Sequence, residues 1–252
     1  MPLVLVLFLG FPVAFTLAAV GGAFGIIGVA TEHFKPAFLF NMPFRIQGTF
    51  NNDNLLALPL LIFMGMLLER TGIAEDMFVA LNRLFRRLSG GLAYTTIIVG
   101  AALSAITGFV SASVVAIGLI SLPVMLRAKY DPKLATGVIA AAGTLAQVVP
   151  PSLVLIILAE QLEVSLLEIY RGALLPAALL VVLYLSYIFL VTRMSPDRAP
   201  STFAGTAVLP QSQVLLEVVR AAGLPLGIVA SVLAAISFGV TTPTESGAIG
   251  VV

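Results

Sequence analysis

The sequence predicts an all-α polytopic membrane protein, and three observations carry that prediction. Sixty per cent of its 252 residues are hydrophobic and 10% are charged, where a soluble domain has about 45–50% and about 25%. The charges are bunched, so that 1–31, 54–68, 88–126, 134–159, 172–192 and 221–244 hold none. Most of these stretches reach the roughly 17–25 residues with which a helix crosses the hydrocarbon of a bilayer. A net charge of +1 with no basic tract excludes nucleic acid as a partner. With no cysteine, disulfides, iron–sulfur clusters and thiolate metal sites are excluded. The single histidine, His33, sits in a polar connector and leaves nothing from which to build a catalytic imidazole or a multi-histidine metal site.

Residues 3–30 form the first apolar segment, bent at Gly10 and Pro12. It lacks the positive start and the cleavage site of a signal peptide and is expected to stay as a helix. Residues 31–53 mix charge with aromatics and suit a connector at the membrane interface. A short second segment, 54–68, is closed by Glu69-Arg70. Next, 74–88 carries acids at its start, Arg83, Arg86 and Arg87 at its end, and apolar residues at Met77, Leu81, Leu84, Phe85 and Leu88. That is an amphipathic helix with charges matched to its dipole, expected to lie in the membrane surface, its arginines anchoring topology.

The window 88–126 holds 39 uncharged residues, too many for one helix and few for two full spans. Its middle is weakly polar at Ser104, Thr107, Gly108, Ser111 and Ser113. Two helices of about fifteen residues meeting there would form a re-entrant hairpin, whose irregular tip survives at membrane depth only under cover of protein or water. The following apolar window is interrupted by Gly143-Thr144 and Pro150-Pro151-Ser152. Consecutive prolines remove two amide donors and force extended backbone before them, so a broken helix is predicted, 133–146 and 152–162. A span follows at 170–193, then a Pro/Ser/Thr-rich soluble linker at 195–213, then a further span at 214–238. With the hairpin returning to its own side, segments 70–91, 127–133 and 193–213 share one face. They hold nine Lys and Arg against three in 31–53 and 161–171, which puts that face and the N-terminus in the cytoplasm.

A weakly polar tip beside a broken helix suits a secondary transporter. Unwound backbone with Ser, Thr and Gln oxygens can hold a dehydrated sodium ion, and half-helix N-termini can face an anion. The competing reading is that small residues serve close helix packing, and for any one of them the two stay open. Gln147 either faces the site or bonds a neighbouring helix. Glu245 is either a buried functional acid or a surface residue. An intramembrane enzyme is disfavoured, because no histidine or lysine lies within a span, the aspartates fall in loops or connectors, and no Walker A motif exists.

Four stretches carry a family resemblance: GFPVAF (10–15), NLLALPLLIFMGMLLERTGIAED (54–76), GLISLPVMLRAKYDPKLATGVIAAAGTLAQVVPPS (118–152) and TPTESGA (242–248). They resemble the large membrane subunit of tripartite ATP-independent periplasmic (TRAP) transporters, the DctM-like permeases. The tip ITGFVSASVVAIG (106–118) resembles the branch often labelled mannitol or chloroaromatic, whereas dicarboxylate and sialic-acid branches tend to an S-G-S-type tip. The resemblance implies an inverted-repeat, elevator-type fold in the bacterial inner membrane. It also implies sodium-driven uptake of organic acid anions delivered by a periplasmic binding protein, and a small four-helix membrane subunit as a second partner. In this scheme 1–91 is scaffold-like, 92–162 holds the transport elements (hairpin 92–128, broken helix 133–162), and 163–194 is a membrane helix. After the linker, 214–252 opens a second repeat that is expected to be cut short, leaving the chain alone unable to transport. Another sodium- or proton-coupled inverted-repeat carrier, working without a binding protein, is the alternative. The expected sodium ligands are Ser111, Ser113, Thr144 and Ser152 with backbone oxygens near Gly108 and Gly143. No carboxylate lies in either segment, which suits a monovalent ion better than a divalent one. Gln147, Pro150 and Pro151 are the expected substrate-facing residues. Segments 107–113 and 144–152, both taken as non-helical, are expected to lie side by side near mid-membrane.

Overall fold

A computed structural model describes residues 2–108, 110–201, 211–238 and 245, and every regular element among them is helical. The chain divides into two compact units, 1–52 and 53–252. In the first, the interruption at Gly10 and Pro12 is a full break, separating α1 (Pro2–Phe8) from α2 (Val13–Ala30). The short helices α3 (Ala37–Phe40) and α4 (Met42–Phe50) follow. Phe8 and Phe15 are 85% and 75% exposed, which water would penalise and a lipid solvent does not. The hydroxyls of Thr16 and Thr31 donate to the carbonyls of Pro12 and Ile27 within the same helix. At 18 residues α2 is long and apolar enough to cross a membrane.

The second unit contains α5 (Asp53–Arg70), α6 (Ile73–Phe85), α7 (Gly91–Thr107), α8 (Val110–Arg127), α9 (Pro132–Thr144), α10 (Leu153–Leu162), α11 (Leu166–Met194) and α12 (Gln211–Ser237). Local chemistry sets several boundaries. Asp131 caps α9 by accepting the Lys133 N–H at 3.0 Å, with Pro132 in the first turn, where no amide partner is needed. Glu75 and Asp76 open α6 and Arg83 closes it, each sign at the helix end that favours it. The apolar stripe of α6 is covered by protein: Met77, Phe78 and Leu81 are buried, and α6 packs on α7 and α12. Arg83 seals that contact through an ion pair with Glu217 of α12 at 2.6 Å. An amphipathic stripe demands an apolar partner, and here protein provides it.

Helices α7 and α8 form the antiparallel hairpin. Leu92 N–H donates to the Tyr130 phenol oxygen at the base and the Thr96 hydroxyl contacts Met125 Sδ a turn further along. Both arms exceed the expected fifteen residues, at 17 and 18, or about 25–27 Å at the helical rise. Residues 107–113 are also far more helical than expected. Thr107 is the last residue of α7, and Ser111 and Ser113 lie inside α8. One residue makes this possible: Gly108 takes φ +59, the left-handed conformation that stops a helix within a single position. Phe109 lies outside the described residues.

The second interruption is longer. After α9 the chain makes a 3₁₀ turn at Leu145–Gln147, passes through a cis Pro150–Pro151 bond, and is extended at Ser152 before α10 begins. Helix α11 starts four residues before the expected span and runs for 29. The expected soluble linker is, at its start, a structural strap. Arg198 O accepts the Asp131 N–H at 2.9 Å, while Ala199 O accepts both the Gly90 N–H and the Ser89 hydroxyl at 2.9 Å. Loop-like composition identified a turn, but these carbonyls bridge the two feet of the hairpin. Gly90, Asp131 and Ala199 come from the three segments expected to share one face, and here they touch. Residues 202–210 lie outside the described residues, as does most of the 242–248 stretch; Glu245 within it is exposed. Helix α12 bends by 47° between Gln213–Gly223 and Pro225–Ile236, where Pro225 supplies no amide hydrogen.

Two tyrosines in this unit are expected to respond oppositely to loss of their hydroxyl. Tyr130, in the connector after α8, is held neutral because burial pushes its phenol up to about 12, against a smaller lowering by the Leu92 amide. Tyr130→Phe strips the Leu92 N–H of its partner and should cost about 1–2 kcal/mol. The Tyr170 hydroxyl is buried with no partner among the described residues, so Tyr170→Phe should be neutral or stabilising. Thermal unfolding in one detergent measures both.

Candidate functional site

The hairpin tip and the broken helix meet, and two glycines allow it. A Cβ placed on Gly108 would lie 3.2 Å from Leu153 Cγ and 3.5 Å from the Pro151 carbonyl oxygen. A Cβ on Gly143 would lie 2.9 Å from both the Cα and the N of Val114, and closer still to its side chain. The end of α7 thus rests on the start of α10, and the end of α9 rests on the start of α8. Two helix C-termini, which carry partial negative charge, and two N-termini, which carry partial positive charge, converge in one region.

Beside this junction opens a cleft of about 550 Å³, within the range of small-molecule sites. Its walls are Gly108, Val110 and Ser111 from the hairpin, Gln147, Leu153, Val154 and Ile157 from the broken helix, and Leu58 and Ile62 from α5. Most of the lining is apolar, so Ser111 and Gln147 supply its side-chain hydrogen-bonding groups. Nothing in the sequence marked Leu58 or Ile62: an apolar residue in an apolar helix carries no sign of which neighbour it faces.

The candidate residues separate into groups. Ser113 and Ser152 are fully buried at the junction, next in sequence to the contacting Val114 and Leu153. The Ser152 hydroxyl donates to the Gln147 carbonyl at 2.8 Å, closing the irregular turn on itself. Gly143 is buried against α8, and Gly108 is buried yet borders the cleft. Ser111 and Gln147 are exposed to the cleft rather than enclosed. Thr144 stands apart: it is exposed, and its hydroxyl donates to the Ala141 carbonyl at 2.7 Å on its own helix. Backbone competition of this kind is common for helical threonine, and it turns the oxygen away from the junction. Pro150 and Pro151 are buried in the break and are not among the residues lining the cleft. The structure therefore brings Gly108, Ser113, Gly143 and Ser152 together at the junction, puts Ser111 and Gln147 on the open wall beside it, and leaves Thr144 out.

Comparison with known proteins agrees with this architecture. Residues 1–252 match the family described as "Tripartite ATP-independent periplasmic transporter, DctM component". The chain is 34% identical over 137 residues to a putative TRAP transporter large permease protein of Haemophilus influenzae, covering 54% of this chain and 34% of the relative. It is 27% identical over 219 residues to the C4-dicarboxylate TRAP transporter large permease protein of Pseudomonas aeruginosa, covering 87% and 50%. To the ectoine/5-hydroxyectoine TRAP transporter large permease protein of Ruegeria pomeroyi it is 28% identical over 248 residues, covering 98% and 55%. The chain thus spans about half the length of most of the curated relatives it matches.

The two glycines of α9 provide a test of the junction. Gly143→Ala places a methyl group against the Val114 backbone, so α8 and α9 must separate, at a cost of about 1–3 kcal/mol as for other overpacked cores. Gly137→Ala on the same helix meets nothing within 4 Å and should stabilise by up to about 1 kcal/mol through helix propensity alone. Unfolding midpoints that move in opposite directions are the expected result.

Proposed function

The chain belongs to the DctM component family of tripartite ATP-independent periplasmic transporters, and from that premise we propose that it couples inward sodium movement to uptake of a small organic acid anion. It is a multi-pass protein of the inner membrane and a membrane subunit of its transporter. In this reading Ser113 and Ser152, with backbone oxygens near Gly108 and Gly143, hold one sodium ion at the junction of hairpin and broken helix. The anion occupies the neighbouring cleft against Ser111 and Gln147. A periplasmic binding protein delivers it, and a small four-helix membrane subunit braces the scaffold. The strapped base of the hairpin, rich in Lys and Arg, faces the cytoplasm, as does the N-terminus.

The observation that carries the reading is the meeting of paired helix C-termini and N-termini beside a cleft of substrate size. The C-terminal ends favour a cation and the N-terminal ends an anion, so both solutes find partial charge of the right sign without any ionised side chain. Neutral oxygens suit a monovalent ion that must also leave on every cycle. The ion would tighten the tip against the break, and the tip is also a wall of the cleft. Sodium and substrate then each favour the closed junction, and that mutual preference is what coupling requires. Relatives named for C4-dicarboxylates support an organic acid as the substrate class.

The test uses the transporter assembled from the large permease subunit, small subunit and binding protein in proteoliposomes. Uptake of the binding protein's ligand should require an inward sodium gradient. Ser113→Ala or Ser152→Ala should raise the half-saturating sodium concentration about tenfold, the equivalent of about 1.4 kcal/mol for one lost neutral oxygen ligand. Thr144→Ala should leave it unchanged. Uptake at full rate without sodium would overturn the reading.

A further inference from the structure

One buried hydroxyl in the hairpin has no hydrogen-bond partner among the described residues. Thr95, Thr96, Ser121 and Thr192 each turn their hydroxyl onto the carbonyl four residues earlier, at 2.6–2.9 Å. That is how a helical serine or threonine satisfies itself in apolar surroundings. Ser104, one turn before the end of α7, breaks the pattern. It is 0% exposed, and its Oγ has no hydrogen-bond partner among the described residues.

Its neighbours show where it faces. Gly100 and Ser104 lie one turn apart on the same face of α7, and Gly108 follows four residues on as the left-handed residue that ends the helix. A Cβ on Gly100 would lie 2.6 Å from Ala142 Cβ and 3.1 Å from the Ala142 carbonyl oxygen. A Cβ on Gly108 would meet Leu153 and the Pro151 carbonyl oxygen. Ala142 precedes the break and Pro151 ends it. Ser104 stands between the two glycines, so it faces the broken stretch itself, where regular helix gives way to a 3₁₀ turn and extended chain.

We propose that the Ser104 hydroxyl is a further ligand of the monovalent cation at this junction, reaching it from the α7 side. The proposal rests on the sodium-coupled reading above and extends it to a residue on the arm of the hairpin rather than its tip. A row of small residues also lets two helices approach closely. Alanine keeps that small size, so Ser104→Ala separates the two roles.

The experiment compares the assembled transporter and its Ser104→Ala variant, purified in detergent, by thermal unfolding in choline chloride and in saturating sodium chloride. Sodium uptake kinetics are measured in parallel. In choline the variant should melt at or above the wild type, because the buried hydroxyl it loses has no partner among the described residues. Its sodium-induced rise in unfolding temperature should be smaller than that of the wild type. Its half-saturating sodium for uptake should be about tenfold higher. Ser104→Cys, similar in size but with a soft sulfur that binds a hard cation poorly, should lose the sodium effect in the same way and serves if the alanine variant expresses badly. An unchanged sodium-induced rise with unchanged half-saturating sodium in both variants overturns the proposal and leaves Ser104 as a packing residue, with the site at Ser113 and Ser152 intact. A wild type whose unfolding and uptake both ignore sodium fails earlier, at the coupled reading itself.

Discussion

In an apolar solvent a backbone amide or carbonyl has to find its partner inside the protein, and the rest of this structure depends on how two interrupted helices meet that demand. Each interruption frees polar backbone that hydrocarbon cannot solvate, at a cost of several kcal/mol per orphaned group. The tip at Gly108 and the turn at Leu145–Ser152 are therefore placed against each other. Ser152 consumes the Gln147 carbonyl, and the amides of Val148 and Val149 both donate to the Leu145 carbonyl. The same mutual cover that makes the breaks tolerable also concentrates polar oxygens and helix-end charge in a low-dielectric place. Stability and the candidate site follow from one constraint.

Glycine is what brings the two parts close enough. Gly143 lets the end of α9 touch the backbone of α8, and Gly108 both reverses the hairpin and clears room for Leu153. Larger residues would hold the helix ends apart, and the junction would need water or lipid headgroups to fill it. Because each glycine sits against both the side chain and the backbone of its neighbour, the junction should tolerate little displacement. The apolar cleft beside it then takes its shape from a rigid corner and from the flanking α5.

Much of this was legible from residue order. An uncharged run too long for one helix, with polar residues only in its middle, identified the hairpin. Consecutive prolines after Gly143-Thr144 identified the broken helix, because two lost amides and two restricted neighbours leave no helical alternative. What escaped was whatever depends on partners distant in sequence. The stripe on α6 announced an apolar contact but not that α7 and α12 would make it. Thr144 looked like an oxygen donor to the junction, yet its own helix offered a nearer carbonyl. The irregular tip is shorter than its run of weakly polar residues suggested, because a single left-handed glycine stops α7 and leaves Ser111 and Ser113 helical. The Pro/Ser/Thr-rich segment after α11 opens with a 3₁₀ turn at Pro196–Arg198, and composition cannot say which amides its carbonyls will meet.

That segment gives the hairpin its mechanical character. With Arg198 and Ala199 bonded to Asp131 and Gly90, and with Tyr130 bonded to Leu92, both feet of the hairpin are fastened to each other and to the end of α11. The arms cannot slide lengthwise past one another without breaking these bonds. Such an arrangement is a clamped mounting, with the hairpin fixed at its feet by hydrogen bonds and at its tip by close packing on the broken helix. Load applied through α11 is delivered to the mounting and carries the whole hairpin with it.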